Sequence, residues 1–127
     1  MPTPHPYEID PSRRQVWVQA EGACTLADAK ATLTAVDGDA RVGPGFALLF
    51  DLRNCREELQ LFEVEELART IARSARSRGG PIAFVAQRTS AFGVAHMLAS
   101  FVRIEGCRAS AFQDLDAAVS WVDDLRH

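Results

Sequence analysis

Residues 46–60 read FALLFDLRNCREELQ, and this stretch decides the fold. Residues 46–52 are apolar except for Asp51, as in a central strand covered on both faces. The charged residues that follow predict a turn before the next helix. In open α/β sheets, ligands and reacting groups gather at the carboxyl end of such a strand. The turn is therefore a candidate active site, a candidate contact surface or only a connection.

Short strands and longer helices alternate on both sides of this stretch. Two strands, 7–10 and 15–21, flank the turn sequence PSRR and predict an antiparallel hairpin. Helix 1 follows; helix 2 is expected over 63–78, helix 3 from residue 89 or 90 to 105, and helix 4 after Asp114. Strands are expected at 82–86 and 108–112. The order ββαβαβαβα predicts an α/β fold with a mixed five-stranded sheet and about four helices.

Local signals place the helix ends. Thr25 and Asp28 have the spacing of a capping box at helix 1. Asp114 is expected to cap helix 4, and either Thr89 or Ser90 to cap helix 3. The sequence GGP at 79–81 is a strong stop signal for helix 2.

Composition limits the function. The chain has 127 residues, 47% hydrophobic and 24% charged, and a net charge of −3, so a general nucleic-acid footprint is not expected. The sequence has neither an apolar run long enough to span a membrane nor a hydrophobic signal region, so we expect a cytoplasmic protein without integral membrane association. Three prolines make residues 1–6 an extended, poorly paired arm, and residues 7–127 are expected to form a single domain.

The residues that carry chemistry do not form a catalytic set. Cys55 is the nucleophile candidate in the predicted turn, but no base lies near it in sequence. Asp51 lacks a second carboxylate as an acid/base partner, and we expect it to accept hydrogen bonds from the following N–H groups. His96 shares a polar helical stripe with Ser100 and Arg103, which predicts exposure. The three widely spaced cysteines predict reduced thiols rather than disulfides or a zinc site. No catalytic, cofactor or metal residue is predicted.

Helix 3 is more apolar than a surface helix needs. Beyond a sufficient core face, Phe92, Met97, Phe101 and Ile104 widen its apolar arc. Three explanations remain open: packing against helix 2, a dimer or partner surface, and an apolar ligand pocket. A second apolar cluster precedes helix 2. The candidate contact or ligand surface comprises Asp51, Cys55, Leu59, Leu61, Phe62, Phe92, Met97 and Phe101.

Four stretches together resemble a STAS domain, the fold of bacterial anti-sigma-factor antagonists, and more closely the standalone SpoIIAA-like branch described as STAS/SEC14-like. They are VWVQAEGACTLADAKATL (16–33), FALLFDLRN (46–54), GGPIAFVAQRTSAFGVAHMLASF (79–101) and ASAFQDLDAAVSWV (109–122). Each motif is weak alone, and their order and spacing over about residues 7–125 carry the likeness.

The resemblance implies action by binding rather than by chemistry. Phosphoregulated antagonists place a Ser or Thr in the turn before helix 2, whereas residues 51–66 of this chain contain neither. We therefore expect a non-enzymatic regulatory or protein-interaction module, self-associating or bound to a regulatory partner. The alternative is a carrier or sensor for a small apolar, lipid-like molecule held between helices 2 and 3. A Cys55-dependent enzyme is the third alternative.

Overall fold

The alternation predicted from the sequence produces a mixed five-stranded sheet with four helices. A computed structural model describes residues 2–125 of the chain. The strands are β1 (Tyr7–Asp10), β2 (Gln15–Cys24), β3 (Ala47–Glu57), β4 (Ile82–Val85) and β5 (Ala109–Phe112). The helices are α1 (Leu26–Asp37), α2 (Leu61–Arg78), α3 (Thr89–Ile104) and α4 (Leu115–Leu125). The order ββαβαβαβα is as expected.

The strands lie in the sheet in the order in which they occur in the chain. β1 pairs antiparallel with β2, and β2 to β5 pair in parallel. Parallel crossovers are right-handed, and from β2 to β5 each new strand is added at the same edge of the sheet. The three crossover helices α1, α2 and α3 therefore lie on one face. We call this the three-helix face. α4 follows the last strand, returns over β3, β4 and β5, and covers the opposite face, the α4 face.

Side chains of the central strands alternate between these two faces. On β4, Ile82 and Phe84 join the large core of the three-helix face, while Ala83 and Val85 join the small core under α4. Every residue of β4 is buried. The apolar sequence of the central strands is therefore explained by burial on both sides.

The ends of the helices partly follow the local signals. Thr25 accepts a hydrogen bond from the N–H of Asp28, as predicted, and Asp114 accepts one from the N–H of Asp116. Helix α3 is different, because its N-cap residue is Arg88 and no side chain caps it. The predicted caps, Thr89 and Ser90, lie inside the first turn.

The two glycines of the GGP sequence have different roles after α2. Gly79 has φ 84°, a left-handed conformation that glycine adopts without strain. A Cβ atom on Gly80 would lie 2.1 Å from the carbonyl oxygen of Phe46. The first glycine therefore reverses the chain, and the second allows the backbone before β3 to pass close by.

The N-terminal arm is more closely attached than its sequence suggests. The N–H of Thr3 donates to Asp28 Oδ1 at 3.0 Å, and the N–H of His5 donates to Thr32 Oγ1 at 2.8 Å. The carbonyl of Pro6 accepts a hydrogen bond from the N–H of Gln19. The arm has no regular secondary structure, yet it lies along α1 and leads directly into β1.

Candidate functional site

The predicted charged turn after Asp51 is instead a continuation of strand β3. Residues 54–57 pair in parallel with residues 21–24 of β2, beyond the point where β4 ends. The connection to α2 is therefore only residues 58–60. Prediction from the sequence failed here because charged residues are typical of turns, whereas in this chain they form a two-stranded ribbon with β2. On the other side of this ribbon, the carbonyl of Cys55 accepts a hydrogen bond from Arg88 Nη2 at 2.9 Å.

A bulge in this ribbon changes which side chains share a face. Gln19 pairs with Asp51 and Glu21 with Asn54, so β3 has one more residue than β2 over this interval. Phe50 and Leu52 pack on the three-helix face, and Cys55 packs there with Leu52. If residues 51–55 alternated regularly, without the bulge, Cys55 would share a face with Asp51.

Asp51 lies on the α4 face, where Trp17 and Arg53 bind its carboxylate. The N–H of Arg53 donates to Asp51 Oδ1 at 3.2 Å, as predicted from the sequence. The guanidinium of Arg53 donates to both carboxylate oxygens, at 2.8 and 2.7 Å, and Trp17 Nε1 donates at 3.2 Å. Burial raises the pKa of the Asp51 carboxyl, but these hydrogen bonds outweigh burial and hold the pKa below its ordinary value. Its carboxylate is thus fixed to the sheet.

A cavity of about 50 Å³ lies on the three-helix face at the carboxyl ends of β2 and β3. It is bordered by the sheet, by α1, α2 and α3, and by the N-terminal arm. Its lining comprises side chains of the strands (Val18, Ala20, Cys24, Phe50, Leu52, Cys55 and Phe84), of the helices (Ala29, Thr32, Leu67, Ile71, Val94 and Leu98), and of the segments between them (His5, Thr25 and Leu59).

Two of the predicted contact residues line this cavity, and the others do not. Cys55 and Leu59 are in its lining. Leu61 and Phe62 lie in the first turn of α2 and are exposed, as is Met97 on α3. Phe92 and Phe101 are half-buried. The α3 residues in the cavity lining are Val94 and Leu98 rather than Phe92 and Met97.

Two cavity residues were missed by the sequence reasoning. Cys24 lines the cavity because β2 extends three residues beyond its predicted end, and the alternation of Val16, Val18 and Ala20 could have been followed that far. His5 lines it because the arm is held against α1. No local sequence signal places an arm, so only the folded chain brings His5 to this position.

The outer surface of α2 and α3 carries a shallow groove of about 130 Å³. Phe101 and Ile104 of α3 contribute its apolar part, and Glu65, Arg69 and Glu105 its charges. Among the described residues, Glu65 and Arg69 do not form an ion pair with each other, and the neighbouring Glu66 pairs with Lys30 of α1. Ile104 is 77% exposed, although Ala99 and the neighbouring core positions are covered by packing against α2. Packing therefore accounts for only part of the apolar surplus of α3.

The remaining candidate groups lie apart from the cavity. His96 is exposed, as predicted, and its ring stacks with Phe92 at a centroid distance of 6.3 Å. Cys107 is at the opposite end of the sheet, near the ends of α2 and α3. Among the side chains that the structure describes, no three His, Cys, Asp or Glu residues lie together as metal ligands. Within residues 2–125, none of the helices is long and apolar enough to cross a bilayer.

No known protein family and no curated protein matches this sequence.

Proposed function

We propose that the protein is a STAS-like regulatory or protein-interaction module that acts through the outer side of α2 and α3. One observation carries this proposal. Among the described residues, the four large apolar side chains that are exposed are Leu61, Phe62, Met97 and Ile104, and all of them belong to these two neighbouring helices. Scattered exposed apolar residues are ordinary, but confinement to one pair of packed helices is typical of an interaction surface.

The extent of exposure makes these residues candidates for binding hot spots. Phe62 is 67% exposed and Leu61 is 59% exposed, although both begin a helix whose other face is fully packed. Burying a side chain of this size contributes about 1.5–3 kcal/mol. A partner that covers them therefore gains several kcal/mol before its ordering costs are subtracted.

A second copy of the same chain fits the charges of this surface. The groove is lined by one basic residue, Arg69, and by two acidic residues, Glu65 and Glu105. A two-fold contact brings the same patch of both copies together, so the arginine of each copy can meet a carboxylate of the other. A partner of a single charge sign would leave one of these groups opposed by a like charge. We therefore propose self-association as the first interaction of this surface.

The segment before α2 supports regulation by binding rather than by phosphorylation at this position. Residues 51–66 contain no Ser or Thr, and most of them belong to the extended β3 and to the first turn of α2. Cys55 is 4% exposed and packs with Ala20 and Leu52, whereas reactive catalytic cysteines are partly exposed to solvent. These features favour an interaction module over a Cys55-dependent enzyme.

Sedimentation velocity at 5–200 µM, chosen to cover about the micromolar range of weak dimers, tests the proposal. We expect a concentration-dependent dimer that the double variant Phe62→Glu, Ile104→Glu converts to monomer. Both positions are exposed, so the melting temperature should stay close to that of the wild type. The matched control is Ala117→Glu, an exposed residue on α4, which should dimerise normally. A wild-type protein that remains monomeric throughout would contradict self-association.

A further inference from the structure

We propose that the cavity beneath the N-terminal arm is a binding site for a small, uncharged, apolar molecule. The site lies on the opposite side of α2 and α3 from the interaction surface and rests on different residues, so it stands or falls independently of the proposed function. Four observations carry it: the chemistry of the lining, the pairing of its hydroxyl groups, its size, and the arm that covers it.

The lining offers contacts that suit an apolar molecule. Phe50 and Phe84 stack at a centroid distance of 5.4 Å with 13° between their planes, and both belong to the lining. Aliphatic side chains of all three helices face them, among them Leu67 of α2 and Leu98 of α3. Cavities of this composition stay dry and bind apolar probes.

The hydroxyl groups at the cavity are already used by the protein. Thr25 Oγ1 accepts from the N–H of Asp28 at 3.1 Å. Thr32 Oγ1 accepts from the N–H of His5 and donates to the carbonyl of Asp28, both at 2.8 Å. A ligand rich in hydroxyl, amide or charged groups would lose its hydrogen bonds to water and gain few here. Sugars, nucleotides and free carboxylates are thereby disfavoured.

The volume sets the size of the ligand. The cavity measures about 50 Å³, whereas an apolar cavity of about 150 Å³ holds benzene, and sites for drug-sized molecules occupy about 300–1,000 Å³. A molecule smaller than benzene therefore fits without movement of the surrounding helices. A full lipid chain does not fit in this state.

The arm gives such a molecule a route to the cavity. His5 lines the cavity, and the arm is held to α1 by hydrogen bonds from the N–H groups of Thr3 and His5. A cover held by so few bonds opens at a lower free energy than the packed helices. Leu59, in the short connection before α2, is half-buried and lines the same cavity as His5.

Xenon is a suitable probe because it is apolar and compact. In methyl NMR spectra recorded under increasing xenon pressure, we expect the signals of Val18 and Leu98 to shift and saturate. Val122, a buried residue of α4 on the other face, is the internal control and should barely shift. Equal, non-saturating shifts of all three would overturn the proposal. Benzene should bind at least ten-fold more weakly than xenon, and equal or tighter binding would overturn the size limit.

A filling substitution provides the matched variant. Ala29 lines the cavity from α1, so Ala29→Leu should abolish the saturating shifts, whereas Ala27→Leu, at an exposed position of the same helix, should preserve them. Retained saturation in Ala29→Leu would contradict the location of the site.

Thiol labelling tests the wild type without any substitution. Xenon at saturating pressure should slow modification of Cys24 and Cys55 by N-ethylmaleimide at least three-fold relative to Cys107, which lies outside the cavity. An unchanged ratio would count against occupancy.

Discussion

The two faces of the sheet differ in thickness and in chemistry. The three-helix face is covered by α1, α2 and α3 and is almost entirely apolar, with a cavity at the carboxyl ends of its strands. The α4 face is covered by one helix and contains a polar cluster in which Asp51 is bound by Arg53 and Trp17. The contrast shows that burial of a strand on both sides does not make the two sides equivalent.

The connectivity explains the difference. The strand order never reverses, so each right-handed crossover adds its helix to the same face, and only the final helix reaches the other. In sheets whose order does reverse, a crevice opens at the switch point and receives the ligand. This sheet has no switch point. The carboxyl end of β3 instead pairs with β2, and the arm lies over the cavity at that end.

On the α4 face, α4 does not cover the part of the sheet formed by β1 and β2. This uncovered part forms an open cleft of about 460 Å³ beside Trp17, with Leu49 beneath and Leu115 of α4 on one side. Gln15 holds α4 at this edge, because its Nε2 donates to Asp123 Oδ1 at 2.7 Å. This hydrogen bond adds a polar contact to the small apolar core that packs α4 against the sheet.

The largest effect on the free energy of unfolding is expected when one aromatic residue is removed from each face of the sheet and the two costs are compared. Phe84→Ala removes a side chain that is 1% exposed and stacked on Phe50, and it should lower the free energy of unfolding by about 3–5 kcal/mol. Phe112→Ala removes a half-buried ring that contacts Trp121, and it should cost about 1–2 kcal/mol. Urea unfolding measures both, and equal costs would refute the contrast between the layers.

The polar cluster should respond to pH. Asp51→Asn should lower the free energy of unfolding by about 2–3 kcal/mol at pH 7, because Arg53 loses its buried charged partner. Since the pKa of Asp51 is lowered in the folded protein, its carboxylate stabilises the fold above the unfolded value near 3.8, and this contribution is lost as the pH falls further. The difference between wild type and variant should therefore shrink below about pH 4.

Denaturant titrations at pH 7, 5 and 3 measure this difference. Asp10→Asn is a useful control, since Asp10 is an exposed carboxylate bound only by local groups in the hairpin turn. A cost for Asp51→Asn that stays constant down to pH 3 would contradict the assigned role of its charge.

The smallest effect comes from placing a hydroxyl in each layer. Val18→Thr puts an oxygen beside the cavity among apolar neighbours and should cost about 1–2 kcal/mol. Val119→Thr changes a half-buried α4 residue at the rim of the open cleft, where water reaches the hydroxyl, and should cost less than about 0.5 kcal/mol. Thermal melts compare the two, and the reverse order would show that the cavity is polar or hydrated.

The candidate site was less predictable than the fold. Helical periodicity predicts the buried face of α2, because the 3.6-residue repeat depends only on nearby residues. That face is indeed buried at Val64, Leu67, Ala68, Ile71 and Ala75. The hydrogen bond from the N–H of Arg53 to Asp51 was also predicted correctly, because it joins residues only two positions apart. The candidate surface combines Leu61, Phe62, Phe92 and Met97 with Cys55, yet these four residues lie outside the cavity that Cys55 lines.

The sequence by itself determined the number, type and order of the elements, because periodicity, caps and glycine stops act over a few residues. Only the tertiary structure decided which side chains meet at the carboxyl end of the sheet. One extra residue in β3, opposite Ala20, turns Cys55 away from Asp51 and toward the three helices. The arm then brings His5 over the same cavity. Strand register and arm placement depend on the pairing of distant segments, which no local pattern specifies.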